Sequence, residues 1–283
     1  MKKNKERVIY YQDEVNDDFM ENNLESVSIP ETFKYKRTNK FNNFISGWFY
    51  YCVAKPILYM VNFFSGVRYV NQKEMKKYKK QGCFIYSNHT NVFDAFAIQV
   101  GIVRGKRCNV IALSDSYSNF LLRHVGRALG YIPIPDNIKV MRNFMDGIEF
   151  YINKEHQDIL IYPEAHIWPY YTKIRPFPSV SFRYPAKLNA PVIPVVTTYR
   201  KSKFFKKPRI TLVVGTAILP KPELTVTQNK EYLRNECYKQ MVEISERYKQ
   251  PEYIKYIKKE ENNWYNTNCA SLAQLVEQLI RNE

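Results

Sequence analysis

Short blocks of hydrophobic residues alternate with mixed polar segments between Gly66 and Gly215. Several blocks are rich in Val, Ile and aromatic residues and too short for helices, which predicts the strands VRYV, GCFIYS, CNVIALS, GYIPI, QDILIYP, APVIPVVTTY and RITLVVG. The segments between them have helical spacing, most clearly from Ile138 to Tyr151, where apolar residues recur every three or four positions. Strands that alternate with helices favour parallel pairing. The pattern therefore predicts an α/β fold with a mixed, largely parallel sheet flanked by helices.

A nearly uncharged segment precedes this region. From Phe44 to Phe64 the only charge is Lys55, and the length matches the ~20 apolar residues that span a bilayer. Pro56 is expected to bend or break a helix there, and Trp and Tyr side chains prefer the headgroup level. We therefore expect an apolar helical hairpin in one leaflet, and a membrane span and a hairpin in a soluble core remain alternatives. The expected membrane contacts are Trp48, Phe49, Phe63 and Phe64.

These patterns divide the chain into four parts. A polar N-terminal arm (1–42) precedes the membrane-interfacial helical segment (43–66), and the α/β domain follows (67–220). The remainder (221–283) is expected to be a helical extension, with one long helical pattern from Lys230 to Lys249 and a weaker terminal one.

The formal net charge of +16 belongs to the body of the chain, because residues 1–40 contain eight Lys or Arg and eight Asp or Glu. A basic body predicts anionic partners, such as nucleic acid, the headgroups of anionic phospholipids or a phosphate-bearing substrate. No helix-turn-helix, zinc-finger or RNA-recognition signature accompanies the charge, so nucleic acid is not the expected partner. A non-catalytic nucleic-acid-binding module remains the alternative from another functional class.

The expected location is the cytoplasmic face of a membrane, with peripheral or monotopic attachment. The first apolar run begins only after forty polar residues, which is not typical of a secretory signal. The five cysteines are scattered and form no Cys-x-x-Cys pair, as is typical of free thiols in a reducing cytosol.

The strongest chemical signal is the segment SNHTNVFDAF. His89 directly follows a predicted strand, and open α/β sheets bind ligands at the carboxyl ends of their strands. A neutral imidazole is a natural general base near pH 7, and Asp94, five residues later, is placed to orient it. The pair resembles two members of a catalytic triad, with a substrate hydroxyl in place of the serine. By spacing alone, a loop histidine that caps the next helix is an equal alternative.

Four sequence blocks in order carry a family resemblance. They are Asn88 to Asp94, then Gly130 with Ile132 and Ile134, then Tyr162 to Glu164, and finally Ala190 to Val195. Together they resemble the Asn-His-x-Ser-x-x-Asp, Gly-x-Ile-x-Ile, Phe-Pro-Glu-Gly-Thr-Arg-Ser and Val-Pro-Ile-Ile-Pro-Val blocks of the glycerolipid acyltransferases. This family includes the 1-acylglycerol-3-phosphate acyltransferases, and the resemblance extends from about Phe44 to Gly215.

The resemblance implies an enzyme that moves a fatty acyl group from a thioester to a hydroxyl of a glycerol-phosphate or lysophospholipid acceptor. His89 would act as general base and Asp94 would orient it, with no metal or redox cofactor and with acyl-CoA or acyl carrier protein as co-substrate. It places substrate binding at Asn88, Gly130, Glu164 and Pro194. A lipid or thioester hydrolase that uses the same pair to activate water is the alternative enzyme.

Two arginines of the family blocks are missing here. Pro135, Asp136 and Asn137 follow the second block, and His166, Ile167 and Trp168 stand in the third. In the family these arginines are associated with the acceptor's phosphate, which leaves that role unassigned. Arg175 is the first candidate to replace them, followed by Lys173 and Arg183, since a guanidinium offers phosphate two parallel hydrogen bonds. Alternatively, the acceptor differs from lysophosphatidate.

Two further features allow more than one interpretation. Residues 200–209 place six cations around Phe204 and Phe205, which fits a solvated hairpin, a membrane-binding loop or a docking site for acidic acyl carrier protein. His89, Asp94, Glu164 and His166 are metal-ligand types, but no His-x-His or His-x-x-x-His pair enforces a site, so no metal is expected.

Overall fold

A seven-stranded sheet forms the centre of the protein. The computed structural model describes residues 7–20, 27–103, 105–114, 120–202, 207–249 and 252–259, without the side chains of 120–122. The strand order is β2-β8-β7-β3-β6-β4-β5. The strands are β2 (Arg68–Val70), β3 (Phe84–Ser87), β4 (Cys108–Ala112), β5 (Tyr131–Pro133), β6 (Asp158–Ile161), β7 (Val192–Arg200) and β8 (Arg209–Val214).

The sheet is mixed and largely parallel, which confirms the predicted fold class. Every neighbouring pair of strands within the group β3 to β7 is parallel. Strand β8 pairs antiparallel with β7, and β2 pairs parallel with β8. The ends of β3 and β7 and the beginnings of β8 and β2 therefore lie at one edge of the sheet, which we name the carboxyl edge.

Helices cover both faces of the sheet. They are α1 (Lys40–Trp48), α2 (Lys55–Phe64), α3 (Lys73–Lys77), α4 (Asp94–Ala97), α5 (Phe120–Leu129), α6 (Ile138–Glu149), α7 (Arg183–Leu188) and α8 (Val226–Arg247). Alternate side chains of β3 point to opposite faces, so Phe84 and Tyr86 pack with α6 and α8, whereas Ile85 packs with α4. Burial on both faces explains why the central strands are continuously hydrophobic.

The apolar N-terminal segment does not form the predicted hairpin. Residues 40–64 are helical throughout, with a π-helical stretch (Phe49–Ala54) between α1 and α2. Pro56 lies in the first turn of α2, where the wider turn before it accommodates both the missing N–H and the bulk of the ring. The proline is thus tolerated without a reversal of the chain. Within the described residues, no helix has the length and apolar character that crossing a membrane requires.

The two ends of the described chain meet. Strand β1 (Val8–Tyr11) pairs in parallel with β9 (Lys255–Lys258) in a separate two-stranded sheet. The following part of the arm packs on the α/β body, where the Tyr35 hydroxyl donates to the carbonyl of Pro133 at 3.1 Å. The predicted terminal helix, at residues 260–283, lies outside the described residues.

Candidate active site

The loop from Asn88 to Phe93 joins the carboxyl end of β3 to α4. Its shape is set by Asp94, the first residue of the helix, whose Oδ2 accepts the N–H groups of Thr90 at 2.9 Å and Asn91 at 2.8 Å. These two bonds fold the loop back over the helix start. As a result, Nδ1 of His89 lies 3.9 Å from Oδ2 of Asp94.

The two predicted catalytic side chains therefore converge, in different surroundings. The Asp94 side chain is fully buried, whereas 18% of the His89 side chain is exposed. Nδ1 of His89 and Oδ1 of Asp94 are buried and have no hydrogen-bond partner among the described residues. A separation of 3.9 Å exceeds hydrogen-bond length, and hydrogen bonds between catalytic groups are often long before substrate binds.

Tyr162 forms the floor beneath the imidazole. Its ring stacks on that of His89, with 4.0 Å between centroids and 17° between planes. Burial raises the pKa of Tyr162 well above its ordinary value, and the nearby charge of Asp94 raises it further. The phenol therefore stays neutral and restricts the imidazole to a narrow range of orientations. Sequence reasoning noted Tyr162 only as part of the third block.

Glu164 connects the first and third blocks. Its Oε2 accepts the backbone N–H of His89 at 3.2 Å, and its Oε1 accepts that of Arg175 at 3.0 Å. Burial raises the pKa of this carboxyl, and the adjacent Arg175 guanidinium opposes that rise. Glu164 is thus buried within the protein and supports the backbone of the loop from Asn88 to Phe93, the candidate catalytic loop.

Arg175, the first candidate for phosphate binding, lies in the interior and not at a substrate-binding surface. Its side chain is buried, and Nη2 lies 3.3 Å from Oε2 of Glu164. The same nitrogen donates to the carbonyls of Glu164 and His166. A phosphate would have to displace these partners. Arg175 therefore forms a buried ion pair with Glu164 inside the protein and is not open to a substrate. Lys173, two residues before Arg175, and Arg183, the first residue of α7, are exposed.

The remaining predicted substrate contacts lie inside the protein. Asn88 exchanges two hydrogen bonds with the backbone of Thr197, 3.0 and 2.7 Å long, and so ties the end of β3 to β7. Pro194 is buried within β7, opposite Tyr86. Gly130 precedes β5 at the edge opposite the carboxyl edge, with φ of +96° and the Cys108 carbonyl 3.0 Å from the position of a Cβ. Its role is to make that turn, which corrects the expectation of a substrate contact.

Trp168 is a site residue that sequence reasoning missed. Its backbone N–H donates to the carbonyl of His89 at 3.0 Å, and its indole N–H donates to that of Asp17 at 2.8 Å. Its ring stacks on Tyr256 of β9, with 5.0 Å between centroids. The β1–β9 sheet therefore braces the loop that holds His89. The only signal in the sequence was a large aromatic residue in an irregular segment.

An apolar groove of about 660 Å³ lies beside the catalytic loop. One wall is α2 and the residues after it, including Met60 and Phe64; Asn91, Phe93 and Tyr170 line the part nearest the loop. Lys207 and Arg209 form the wall at the start of β8. The predicted membrane contacts Trp48, Phe63 and Phe64 are exposed, with Phe49 half-buried, and Phe204 and Phe205 lie outside the described residues.

The side chain of His166 pairs with the N-terminal arm and not with His89. Nδ1 of His166 lies 3.1 Å from Oδ2 of Asp18 in the N-terminal arm. Across the described part of the chain, no group of three or more His, Cys, Asp or Glu side chains is arranged to hold a metal ion.

A family model matches the part of the chain that contains this site. Residues 66–198, which contain His89, Asp94 and Glu164, match the family model described as Acyltransferase. The match identifies this part of the chain as an acyltransferase domain, as the four sequence blocks predicted.

The fold is similar to that of a solved acyltransferase. The crystal structure of PlsC, the 1-acyl-sn-glycerophosphate (LPA) acyltransferase from Thermotoga maritima, matches with a TM-score of 0.51 and 15% sequence identity. The match covers 74% of this chain and 91% of that chain. At this identity the likeness is one of fold. No curated protein matches the sequence.

Proposed function

We propose that this acyltransferase moves a fatty acyl group from an acyl thioester, acyl-CoA or acyl carrier protein, to a hydroxyl of a glycerol-phosphate or lysophospholipid acceptor. The observation that carries the proposal is the convergence of His89 and Asp94, 3.9 Å apart, beside an apolar groove that accommodates an acyl chain. The family match supports the reaction class, and the fold likeness to a 1-acyl-sn-glycerophosphate acyltransferase supports the choice of acceptor.

The geometry of the pair supports the roles that we propose for it. Nδ1 is the imidazole nitrogen that faces Asp94, so Nε2 is left to take the proton from the acceptor hydroxyl. The hydroxyl oxygen then attacks the thioester carbonyl, and the carbon–sulfur bond breaks as the thiol leaves with a proton. Asp94 holds the ring and stabilises the imidazolium that forms. Backbone N–H groups near the third and fourth blocks are the candidates to stabilise the developing oxyanion.

We further propose that the enzyme works at the cytoplasmic face of a membrane, as a peripheral or monotopic protein. Support comes from the exposed side chains of the N-terminal helical segment, among them Phe44, Trp48, Phe63 and Phe64. An exposed apolar patch rimmed by polar residues is typical of a membrane-binding surface. Because α2 also forms a wall of the groove, a lipid could pass from that surface to the catalytic loop without crossing water.

Product analysis tests the proposed reaction. Purified protein is given radiolabelled acyl-CoA or acyl carrier protein, with and without lysophosphatidate, and the lipid products are separated. The proposal predicts a doubly acylated phospholipid that forms only when the acceptor is present. Free fatty acid produced at the same rate in both reactions would instead assign the pair to a hydrolase.

A further inference from the structure

The phosphate of a glycerolipid substrate needs a binding site. The second and third sequence blocks do not provide its arginines here. Pro135 to Asn137 and Ile167 stand where the resemblance places arginines. Arg175 is buried against Glu164, with its guanidinium directed at protein oxygens. The cations for a phosphate must come from another part of the structure.

Three arginines meet at the carboxyl edge. Strand β7 ends at Arg200, and its partner across the antiparallel pair is Arg209, the first residue of β8. Strand β2 begins at Arg68, which lies opposite Thr211 of β8. Because β3 ends at this same edge, the arginines and His89 are presented on one side of the sheet.

The electrostatics of this cluster favour an anion. Arg200 donates to the carbonyls of Ile210, at 3.2 Å, and Gly66, which fixes its guanidinium. Partial burial lowers the pKa of Arg200, and the charges of Arg68 and Arg209 lower it further. Like charges held this close destabilise one another until an anion is shared among them. Guanidinium groups bind phosphate oxygens through paired, charge-assisted hydrogen bonds.

The cationic cluster opens into the groove beside the catalytic loop. Lys207 and Arg209 line it, together with apolar residues of α2 and with Asn91 and Tyr170. The groove thus combines cations with a surface that is compatible with hydrocarbon. This combination fits a ligand with a phosphate and an acyl chain.

A second cavity of comparable size lacks this relation to the catalytic loop. It measures about 550 Å³ and is lined by Lys73, Lys76, Lys79 and Lys106. It lies where β2 ends and before β4 begins, at the edge opposite His89. Position therefore favours the cluster on β8 as the substrate's phosphate site.

We propose that Lys207 and Arg209, supported by Arg200, bind the phosphate of the enzyme's substrate in the groove. The proposal rests on the proposed function for the identity of that substrate. Two sources share this chemistry, namely the phosphomonoester of the acceptor and the phosphates of the acyl-CoA donor.

Paired substrates with and without phosphate test the proposal. For Arg209→Gln and Lys207→Gln, KM is measured with lysophosphatidate against monoacylglycerol, and with acyl-CoA against acyl-pantetheine. We expect KM to rise about tenfold to a hundredfold for the phosphate-bearing member of one pair, and to change less than twofold for its phosphate-free partner. The affected pair identifies the source of the phosphate. Arg142→Gln, an exposed arginine on α6, is the matched control.

A binding measurement separates this proposal from the proposed function. Titration of short-chain lysophosphatidate, and separately of coenzyme A, into the protein without the second substrate requires no turnover. Weaker binding of either ligand to Arg209→Gln than to Arg142→Gln supports the phosphate site even if no acyl transfer occurs. The phosphate site is overturned if Arg209→Gln and Arg142→Gln bind the ligands with equal affinity, or if Arg209→Gln changes KM equally for phosphate-bearing and phosphate-free substrates. The proposed function would still stand in that case if the wild-type protein transfers acyl groups.

Discussion

At the scale of single residues, Asp94 shapes the loop and, in the proposed mechanism, also orients the base. Its Oδ2 accepts the N–H groups of Thr90 and Asn91, which shapes the loop, and the same oxygen is the one that faces the imidazole of His89. A carboxylate that organises the backbone and orients a base is sensitive to the loss of its charge. An isosteric amide keeps the shape of the side chain but has an acceptor oxygen at one end and a donor NH2 group at the other.

Asp94→Asn tests the orienting role. We expect kcat to fall by about 100-fold or more, because the imidazole loses its tautomer and the charge that stabilises its protonated form. Acyl transfer is measured together with the melting temperature, and Asp146→Asn, an exposed aspartate on α6, is the control. A kcat within a few-fold of wild type would remove Asp94 from the mechanism.

Glu164→Gln tests the buried support of the loop. Removing the charge leaves Arg175 buried beside a neutral amide, and breaking a buried pair typically lowers the free energy of unfolding by about 3–5 kcal/mol. Urea denaturation measures the loss, with Glu149→Gln as an exposed control. Unchanged stability would contradict the structural role and return Glu164 to the list of substrate contacts.

At the scale of elements, the strands were predictable where their burial is two-sided. The Val- and Ile-rich blocks of β3, β6 and β7 are typical of strands that are covered by helices on both faces. The β1–β9 pair was not predictable, since VIYY and KYIK are four-residue segments nearly 250 positions apart in a polar context. The π-helical turn before Pro56 was missed because a proline usually ends a helix, and only tertiary packing shows that it does not here.

Some of the motif residues were predictable from the sequence and others were not. The sequence predicted that His89 and Asp94 lie together after a strand end, and the two side chains are 3.9 Å apart. It misplaced Gly130 and Arg175, since a sequence block does not reveal which edge a glycine occupies or whether a charge is buried. Tyr162 and Trp168 act through stacking and backbone contacts, which leave no spacing signal.

Asp158 links the beginnings of two strands and has a testable pH dependence. Its Oδ1 accepts the N–H of Cys83 at 3.0 Å and lies 2.6 Å from Nζ of Lys106. Burial raises the pKa of this carboxyl from 3.8 to about 6, although Lys106 opposes the rise. The folded state therefore binds more protons than the unfolded chain between these values. The contribution of Asp158 to stability is largest below about pH 4 and is lost as the pH rises through about 6.

Asp158→Asn removes this titration but retains an oxygen acceptor for Cys83. We expect the wild type to lose free energy of unfolding relative to the variant as the pH rises from 4 to 6, because only the wild type releases a proton. Urea denaturation across this range gives the difference between the two proteins, with Asp146→Asn as a reference. Parallel pH profiles for wild type and Asp158→Asn would contradict the assignment.

At the scale of the whole molecule, the catalytic loop, the groove and the exposed helical segment share α2 as a common element. Residues of α2 line the groove, and its other side chains, such as Phe63, face outward with 71% exposure. The net charge of +16 adds long-range attraction to anionic surfaces. Together these features support the proposal that the enzyme collects its lipid substrate from a membrane surface.

Replacement of Phe63 and Phe64 by Ser tests the membrane surface. The double variant should bind vesicles of anionic phospholipid at least tenfold more weakly, since each Phe that enters the bilayer interface contributes about 1.5–3 kcal/mol. Binding of both proteins should also weaken with added salt. Vesicle co-sedimentation is the measurement, and Ile138→Ser, which changes an 86% exposed side chain on α6, is the control. Equal partition of the double variant and the control would contradict the assignment.

The most direct test of the account is the rate of acyl transfer by His89→Ala. As general base, His89 should contribute about 100- to 10,000-fold to kcat, so the variant should lose that factor while folding and vesicle binding stay unchanged. His124→Ala, an exposed histidine on α5, should retain wild-type turnover. Turnover by folded His89→Ala at the rate of His124→Ala would show that the chemistry occurs elsewhere.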